Sequence, residues 1–189
     1  MIVAGTDEAG RGPLAGPVVA AAVVLLPSQR RELALLGLRD SKRLSPRRRE
    51  MLFDAMGALG VIWRAQAASP ARIDRDNILQ ASLWAMGKAV RALPVCPDLV
   101  VVDGLVRVPE LAIPQRPLPR GDDLVPCVAA ASVVAKVLRD RIMERLDRLF
   151  PAYGFAGHKG YPTVAHREAL ATHGPSPVHR RSFSWSGVA

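Results

Sequence analysis

The sequence predicts an α/β fold in which a mixed sheet is flanked by helices and the C-terminal portion is helical. Short runs of β-branched and small apolar residues are bounded by acids, glycines or prolines, as strands are. Longer segments with apolar residues at helical spacing follow several of these runs. The chain has 189 residues, 49% of them apolar, which is enough to bury one core of strands and helices.

The first half of the chain contains three predicted strands and two predicted helices. Residues 2–6 are a short apolar run before two acids, and residues 17–26 are a longer β-rich run after glycines and prolines. Helical spacing begins at Pro46 and is broken at Gly57 and Gly60. A strand is expected at 61–67, and a helix at 76–93 that stops before Pro94.

The second half contains one buried strand and two helices. Residues 98–103, DLVVVD, are apolar between two acids and predict a central strand, and the proline-rich segment after them predicts a loop. Apolar residues at helical spacing predict one long amphipathic helix over 127–150. From Pro151 the chain is polar and irregular, with one more helix around 163–172. We expect a single domain over 1–189, with the C-terminal extension from about residue 151 packed on it.

The charge balance favours a polyanionic partner. Lysine and arginine number 26 against 17 acids, which gives a net charge of +9 and a pI near 10.7. Nucleic acid is the first such partner to consider, although a basic surface can also serve solubility alone.

Cysteine usage and hydropathy indicate a cytoplasmic protein. Cys96 and Cys127 stand apart, without metal-ligand spacing and too few for a disulfide framework, which fits a reducing compartment. The chain has no secretory start and no stretch of about 18 apolar residues, so we expect neither export nor a membrane span.

Acidic residues recur where predicted strands end or glycines mark a loop. They occur at three places: Asp7 with Glu8, Asp103 before Gly104, and the pair Asp122 and Asp123. A single acid at such a position is usually a turn residue, but grouped carboxylates repel one another unless cations lie between them. Oxygen ligands suit magnesium or manganese, and two such ions about 4 Å apart cleave phosphodiesters. The grouping therefore predicts a metal-dependent site acting on a polyanion.

The segment after the first strand permits close approach of the backbone to a ligand. Neighbouring residues on a regular strand point to opposite faces, so Asp7 and Glu8 share a site only if the strand ends or bends there. Gly10 and Gly12, on either side of Arg11, allow such a bend. The segment is not a dinucleotide-binding loop, because Pro13 interrupts it and a β-like run follows where a helix should begin.

Residues 6–18, TDEAGRGPLAGPV, closely resemble the N-terminal signature of the ribonuclease HII family. Six later segments agree in order: DSKRLS at 40–45, VDG at 102–104, RGD at 120–122, AASVVAK at 130–136 with RDR at 139–141, HKGY at 158–161 and HRRSF at 179–183. The resemblance spans nearly the whole chain. Departures are small, since Arg120 replaces the usual lysine and Leu105 stands where many relatives have a polar residue.

The resemblance implies a ribonuclease H-like fold and a two-ion metal site with Mn²⁺ or Mg²⁺. By position, the catalytic metal ligands would be Asp7, Glu8, Asp103 and Asp122, with Asp123 as the alternative to Asp122. Gly10, Arg11 and Gly12 would sense the ribose 2′-hydroxyl, by which RNA is distinguished from DNA. Further substrate contacts would come from a stacking tyrosine and from residues facing phosphates: Tyr161, Lys42, Arg43, Ser132 and Lys136.

The resemblance also implies the reaction. The enzyme would hydrolyse the RNA strand of RNA/DNA hybrids and nick duplex DNA on the 5′ side of single ribonucleotides, leaving a 3′-hydroxyl and a 5′-phosphate. Two other classes are open: a nucleic-acid-binding module without catalysis, and a nuclease of the same fold that acts on DNA. We expect a monomer that needs no protein partner.

Overall fold

The computed structural model describes residues 1–184 and is built on a five-stranded mixed sheet. The strands are β1 (Val3–Ala9), β2 (Val18–Val24), β3 (Ile62–Ala68), β4 (Leu99–Asp103) and β5 (Gln115–Leu118). Their order across the sheet is β3-β2-β1-β4-β5, with β2 antiparallel to β1 and β3, and β4 parallel to β1 and β5. The predicted mixed α/β sheet is confirmed, while the predicted domain limit at residue 189 lies outside the described residues.

Helices cover both faces of the sheet. They are α1 (Pro27–Leu35), α2 (Pro46–Ala58), α3 (Pro70–Asp76), α4 (Ile78–Arg91), α5 (Gly121–Leu124), α6 (Pro126–Leu149), α7 (Phe155–His158) and α8 (Val164–His173). The apolar sides of α1, α2 and α6 form one core layer, and those of α3 and α4 form the other. Every residue of β2 is buried because the strand lies between the two layers, and its alanines and valines fit that narrow space.

Helix α6 lies very close to β1. A Cβ atom on Gly5 would be 2.4 Å from the backbone carbon of Cys127 and 2.4 Å from the backbone nitrogen of Val128. Only a residue without a side chain permits this approach. The contact places the first turns of α6 beside the end of β1, where the acids lie.

Two segments differ from the sequence prediction because of local chemistry. The helix expected at 76–93 is α4, which begins after Asn77, whose φ is +66° and whose side chain accepts the Gln80 N–H at 3.1 Å to cap the helix. A separate helix, α3, ends at Asp76 and was not predicted. The proline-rich segment expected as a loop contains β5, where Pro117 lies opposite Val102. An edge strand tolerates proline because one side of it needs no partner. Helices α1, α5 and α7 were not predicted either.

The C-terminal portion, residues 151–184, packs on the second half of α6 and on the loop after β1. Met143 of α6 is buried in an apolar cluster with Leu14, Phe155 and Leu170. The Leu14 N–H donates to the Gly160 carbonyl at 2.8 Å, so the loop and the C-terminal portion are also joined by backbone hydrogen bonds. The loop is thus held from behind by the end of the chain.

In the part of the chain that the structure describes, no helix combines the length and the apolar character needed to cross a bilayer.

Candidate active site

Asp7 and Asp103 lie side by side at the edge of the sheet. The parallel pairing of β1 with β4 ends at Thr6 and Val102, so the next residue of each strand is an aspartate. Equivalent ends of parallel strands meet at one edge, which brings the two carboxylates together. Asp7 is 3% exposed, and its Oδ1 accepts the Glu8 N–H at 2.7 Å.

Asp122 joins this pair from helix α5. The chain turns after β5 through Arg120, whose left-handed φ of +57° starts α5, and the Gly121 N–H donates to Asp103 Oδ1 at 2.8 Å. One oxygen from each of Asp7, Asp103 and Asp122 lies within 4.8 Å of the others. Asp123, the alternative ligand, is instead directed to Arg43 at 3.3 Å. The geometry therefore favours Asp122 over its neighbour.

Glu8 lines the same cleft but is not part of the three-carboxylate group. Strand β1 continues to Ala9, further than the sequence indicated, so Glu8 does leave the strand on the side opposite to Asp7. Its carboxylate is 3.4 Å from the Arg11 guanidinium. Burial raises the pKa of Glu8, while Arg11 lowers it and the charge of Asp103 raises it further. Glu8 is thus close enough to Asp103 to share its electrostatic field.

The carboxylates of the group raise one another's pKa. Burial raises the pKa of Asp7 well above its ordinary value, and the charges of Glu8 and Asp103 raise it further. Burial and the charge of Asp103 also raise the pKa of Asp122, against the influence of Lys42, whose Nζ is 3.5 Å from Asp122. Each carboxylate makes ionisation of the others more costly.

The residues fit a divalent cation. Asp7 Oδ2 is fully buried and accepts no hydrogen bond within residues 1–184. A buried carboxylate oxygen without a partner costs about 1–3 kcal/mol, and a cation bonded to it would remove that cost. The donor set is all oxygen, which suits Mg²⁺ or Mn²⁺ rather than zinc or copper.

The glycine loop and the tyrosine predicted to contact substrate lie on the same cleft. Arg11 and Gly12 are exposed, and a Cβ on Gly12 would be 3.7 Å from the Tyr161 ring. Tyr161 is 42% exposed. Gly10 has a φ of +99° and touches Arg139, so no larger residue fits there. The structure therefore brings together the elements predicted to recognise the substrate sugar.

The residues predicted to face phosphates are arranged at different depths. Lys42 and Arg43 are exposed above Asp122 and Asp123. Lys136 is half-buried at the cleft wall, where its Nζ is 2.7 Å from Asp140.

Ser132 lies beneath the cleft surface. It is 2% exposed and hydrogen-bonded to Ser41 at 2.7 Å. Its phosphate contact stays a prediction that the observed burial does not favour, and its hydrogen bond with Ser41 is the observed contact.

Three buried charged residues near the site were not identified from the sequence as parts of it. Asp40 accepts the Lys42 N–H at 2.9 Å and lies against Asp122. Arg139 and Arg180 are both fully buried and donate to backbone carbonyls of the glycine-rich loop. The HRRSF segment marked position 180, but a charge run does not show which of its members is buried. Asp140, beside Arg139, is 3.5 Å from Arg49.

Comparison with known proteins gives a consistent result. The family model described as Ribonuclease HII matches residues 4–186. The ribonuclease H2 of Pyrococcus horikoshii OT3 superposes with a TM-score of 0.82 at 28% identity, covering 98% of this chain and 95% of that one. The RNase HII of Archaeoglobus fulgidus, solved in a complex with PCNA, superposes with a TM-score of 0.78 at 30% identity, covering 95% and 92%.

A more distant similarity concerns the fold alone. Bst-RNase HIII, solved in complex with Mn²⁺, superposes with a TM-score of 0.78 at 21% identity. The alignment covers 98% of this chain and 68% of that one. The same arrangement of strands and helices is therefore present in a longer protein.

Proposed function

The chain belongs to the ribonuclease HII family, whose members are metal-dependent ribonucleases H, and on that premise we propose that it nicks duplex DNA on the 5′ side of single embedded ribonucleotides. It also hydrolyses the RNA strand of RNA/DNA hybrids, leaving a 3′-hydroxyl and a 5′-phosphate. The observation that carries the proposal is the group of three carboxylates within 4.8 Å beside an exposed glycine loop.

Two divalent ions, Mg²⁺ or Mn²⁺, are proposed to act in the active complex. Asp7 and Asp103 would contact both ions, and Glu8 and Asp122 would complete one site each. Ions held there supply a nucleophilic water and charge stabilisation for the departing oxygen in an in-line displacement. The three grouped carboxylates and the orphan oxygen of Asp7 support this assignment.

The chain's own residues orient the substrate. The backbone of the Gly10–Gly12 loop contacts the ribose 2′-hydroxyl, and Tyr161 stacks on the deoxyribose that follows it. Lys42, Arg43 and Lys136 place positive charge toward the phosphates. The glycine loop, Tyr161, Lys42 and Lys136 line one cleft, which supports these assignments. Contacts to a 2′-hydroxyl are what allow a protein to distinguish RNA from DNA.

Two adjacent residues, Asp122 and Asp123, provide a matched pair of variants that tests the metal-ligand assignment. We expect Asp122→Asn to reduce nicking with Mg²⁺ at least 100-fold, since it removes a charge that faces Asp7 and Asp103. Asp123→Asn should stay within about 3-fold of wild type because its carboxylate faces Arg43. Near-normal nicking by Asp7→Asn or Asp103→Asn, together with loss in Asp122→Asn, would contradict the proposed division of ligands.

The central test uses an end-labelled DNA duplex with one ribonucleotide, incubated with Mg²⁺, beside an all-DNA control, an EDTA control and the Asp7→Asn protein. We expect a nick 5′ to the ribonucleotide only in the reaction that contains wild-type protein, Mg²⁺ and the ribonucleotide-bearing duplex. Tight binding without a nick would indicate a binding module. Cutting of the all-DNA control would indicate a DNA nuclease on the same fold.

We propose a cytoplasmic monomer that needs no protein partner for cleavage. The Archaeoglobus fulgidus relative was solved with PCNA, so light scattering of this chain alone and with PCNA is the appropriate measurement. A stable dimer of the isolated chain would contradict the monomer.

A further inference from the structure

Arg180 is a buried arginine whose guanidinium is surrounded by the loop that follows β1. The residue is fully buried. Its Nη2 donates to the Gly10 carbonyl at 2.6 Å, its Nη1 to the Arg11 carbonyl at 2.8 Å and its Nε to the Gly16 carbonyl at 3.0 Å. The planar fork of one guanidinium thus holds both ends of the glycine loop.

These hydrogen bonds determine which way the loop amides point. In a trans peptide the carbonyl and the N–H of the same plane point in opposite directions, and no peptide bond in the described chain is cis. Since the carbonyls of Gly10 and Arg11 face Arg180, the N–H groups of Arg11 and Gly12 face away from it. Both residues are exposed, and neither N–H donates to another protein group within residues 1–184.

Burying the guanidinium of Arg180 opposes folding. Transfer of a charged group to the interior carries a desolvation penalty of several kcal/mol, which hydrogen bonds only partly offset. A second buried arginine, Arg139, donates to the carbonyls of Ala15 and Pro17 and touches Gly10. Burial and the charge of Arg139 together lower the pKa of Arg180 to about 9. Two like charges are therefore buried together behind one short loop.

We propose that Arg180 is a positioning residue that sets ribonucleotide specificity by holding the two loop amides toward the substrate sugar. The inference rests on the proposed function and adds to it a specificity determinant outside the cleft. A lysine cannot replace it, because a single ammonium does not match three carbonyls arranged around a planar fork. Its neighbour Arg181 is exposed, and its backbone N–H donates to Asp74 at 3.1 Å.

The test compares Arg180→Met and Arg180→Lys with the matched control Arg181→Met. Two quantities are measured: kcat/KM for nicking a duplex with one ribonucleotide in Mg²⁺, and Kd for the all-DNA duplex of the same sequence. We expect kcat/KM to fall at least 30-fold in Arg180→Met and at least 10-fold in Arg180→Lys, while Kd changes less than 3-fold. Arg181→Met should stay within 2-fold of wild type in both.

Three outcomes overturn the proposal. Nicking by a folded Arg180→Met within 3-fold of wild type removes the positioning role, and full rescue by lysine shows that charge alone mattered. A parallel loss of nicking and all-DNA affinity shows general damage instead of lost specificity. Failure of wild type to nick is different, because it refutes the proposed function itself and the inference with it.

A milder variant applies if Arg180→Met does not fold at the assay temperature. Asp74 accepts the N–H groups of Arg181 and Ser182 and the Ser182 hydroxyl, and so fixes the segment after Arg180 from the surface. Asp74→Asn should lower kcat/KM 3- to 5-fold with unchanged all-DNA Kd. Wild-type nicking by Asp74→Asn would then overturn the proposal.

Discussion

Asp7 shows how a single residue can oppose stability and serve function. Its carboxylate is buried against Glu8 and Asp103, which raise its pKa, and its Oδ2 has no hydrogen-bond partner in the described chain. A group whose folded pKa is raised favours the protonated form, so its ionisation opposes folding at neutral pH. A cation bound to this carboxylate, as proposed, would remove the cost. Active sites commonly retain groups of this kind because function depends on them.

We therefore expect Asp7→Asn to be more stable than wild type in EDTA and inactive in Mg²⁺. The gain should be about 1 kcal/mol, or roughly 2–4 °C in Tm for a domain of this size. Thermal unfolding with and without Mg²⁺ measures it, and the variant should lose most of the shift that the metal produces in wild type. A lower Tm in EDTA, with the full metal-induced shift retained, would contradict this interpretation of Asp7.

At the scale of elements, the contact between β1 and α6 decides where the acids and the helix meet. Gly5 lies against the backbone of Cys127 and Val128, and backbone cannot move aside as a side chain can. Some other glycines carry no such constraint. Gly57 in α2 has nothing within 4 Å of the position of a Cβ.

Gly5→Ala should lower the free energy of unfolding by about 1–3 kcal/mol through overpacking, and it should also displace α6 from the carboxylates. Gly57→Ala is the control, expected to raise stability by about 0.5–1 kcal/mol because alanine favours the helix. Urea unfolding measures both variants. Equal stability of the two alanine proteins would show that α6 adjusts freely to β1.

A chain of hydrogen bonds joins the C-terminal elements to Tyr161. The Ser176 N–H donates to His179 Nδ1 at 3.0 Å, which leaves the proton of a neutral His179 on Nε2. That nitrogen is 3.0 Å from His166 Nε2, and His166 Nδ1 is 2.9 Å from the Tyr161 carbonyl. When both rings are neutral, each hydrogen bond in this chain has one donor and one acceptor. Burial lowers the pKa of both rings, to about 4 for His179, where the charge of His166 adds to the effect.

Stability should therefore fall as the pH falls from about 6.5 toward 4. The unfolded chain binds a proton near pH 6.5, whereas the folded His179 does not until about pH 4, so acid favours unfolding. The contribution of His179 between pH 7 and pH 5 is on the order of 2 kcal/mol. Urea unfolding of wild type and His179→Gln at both pH values isolates it. The exposed His173→Gln serves as the control, and equal pH dependence in all three proteins would refute the assignment.

At the scale of the whole molecule, positive charge is concentrated beside the carboxylates. Residues 27–49 contain eight of the 26 lysines and arginines and only two acids. All of these basic residues except Arg49 are exposed. Lys42 and Arg43 of this segment form ion pairs with Asp122 and Asp123, so the positively charged surface extends to the cleft. Such a surface attracts a polyanion, and salt weakens the attraction.

The affinity for duplex DNA should fall steeply with salt, and Lys42→Ala with Arg43→Ala should reduce the slope. Each lost phosphate contact changes the slope of log K against log salt by about 0.9, so the double variant should lower its magnitude by nearly 2. Fluorescence anisotropy at several salt concentrations measures it. Arg64→Ala with Lys88→Ala removes equal charge from β3 and from α4, which covers the opposite face of the sheet. The same change in this control would show a non-specific effect of net charge.

Much of the fold was predictable because local patterns carry it. Apolar runs predicted β1 to β4 and helical spacing predicted α2, α4, α6 and α8, since apolar segments must face a core whatever the neighbours are. Helices α1, α3, α5 and α7 and strand β5 were missed. The residues of β5 form a strand only because β4 offers them a partner, and the boundary at Asn77 depends on a backbone conformation that spacing does not reveal.

The sequence by itself determined the family, the kind of chemistry and the candidate acids, because these depend on residue types at fixed spacing. Only the tertiary structure decided which acids meet: Asp122 joins Asp7 and Asp103, while Asp123 turns to Arg43. It also showed that Arg180 is buried behind the glycine loop and Arg181 is not. The reason is physical, since proximity and burial arise from contacts between segments far apart in the chain.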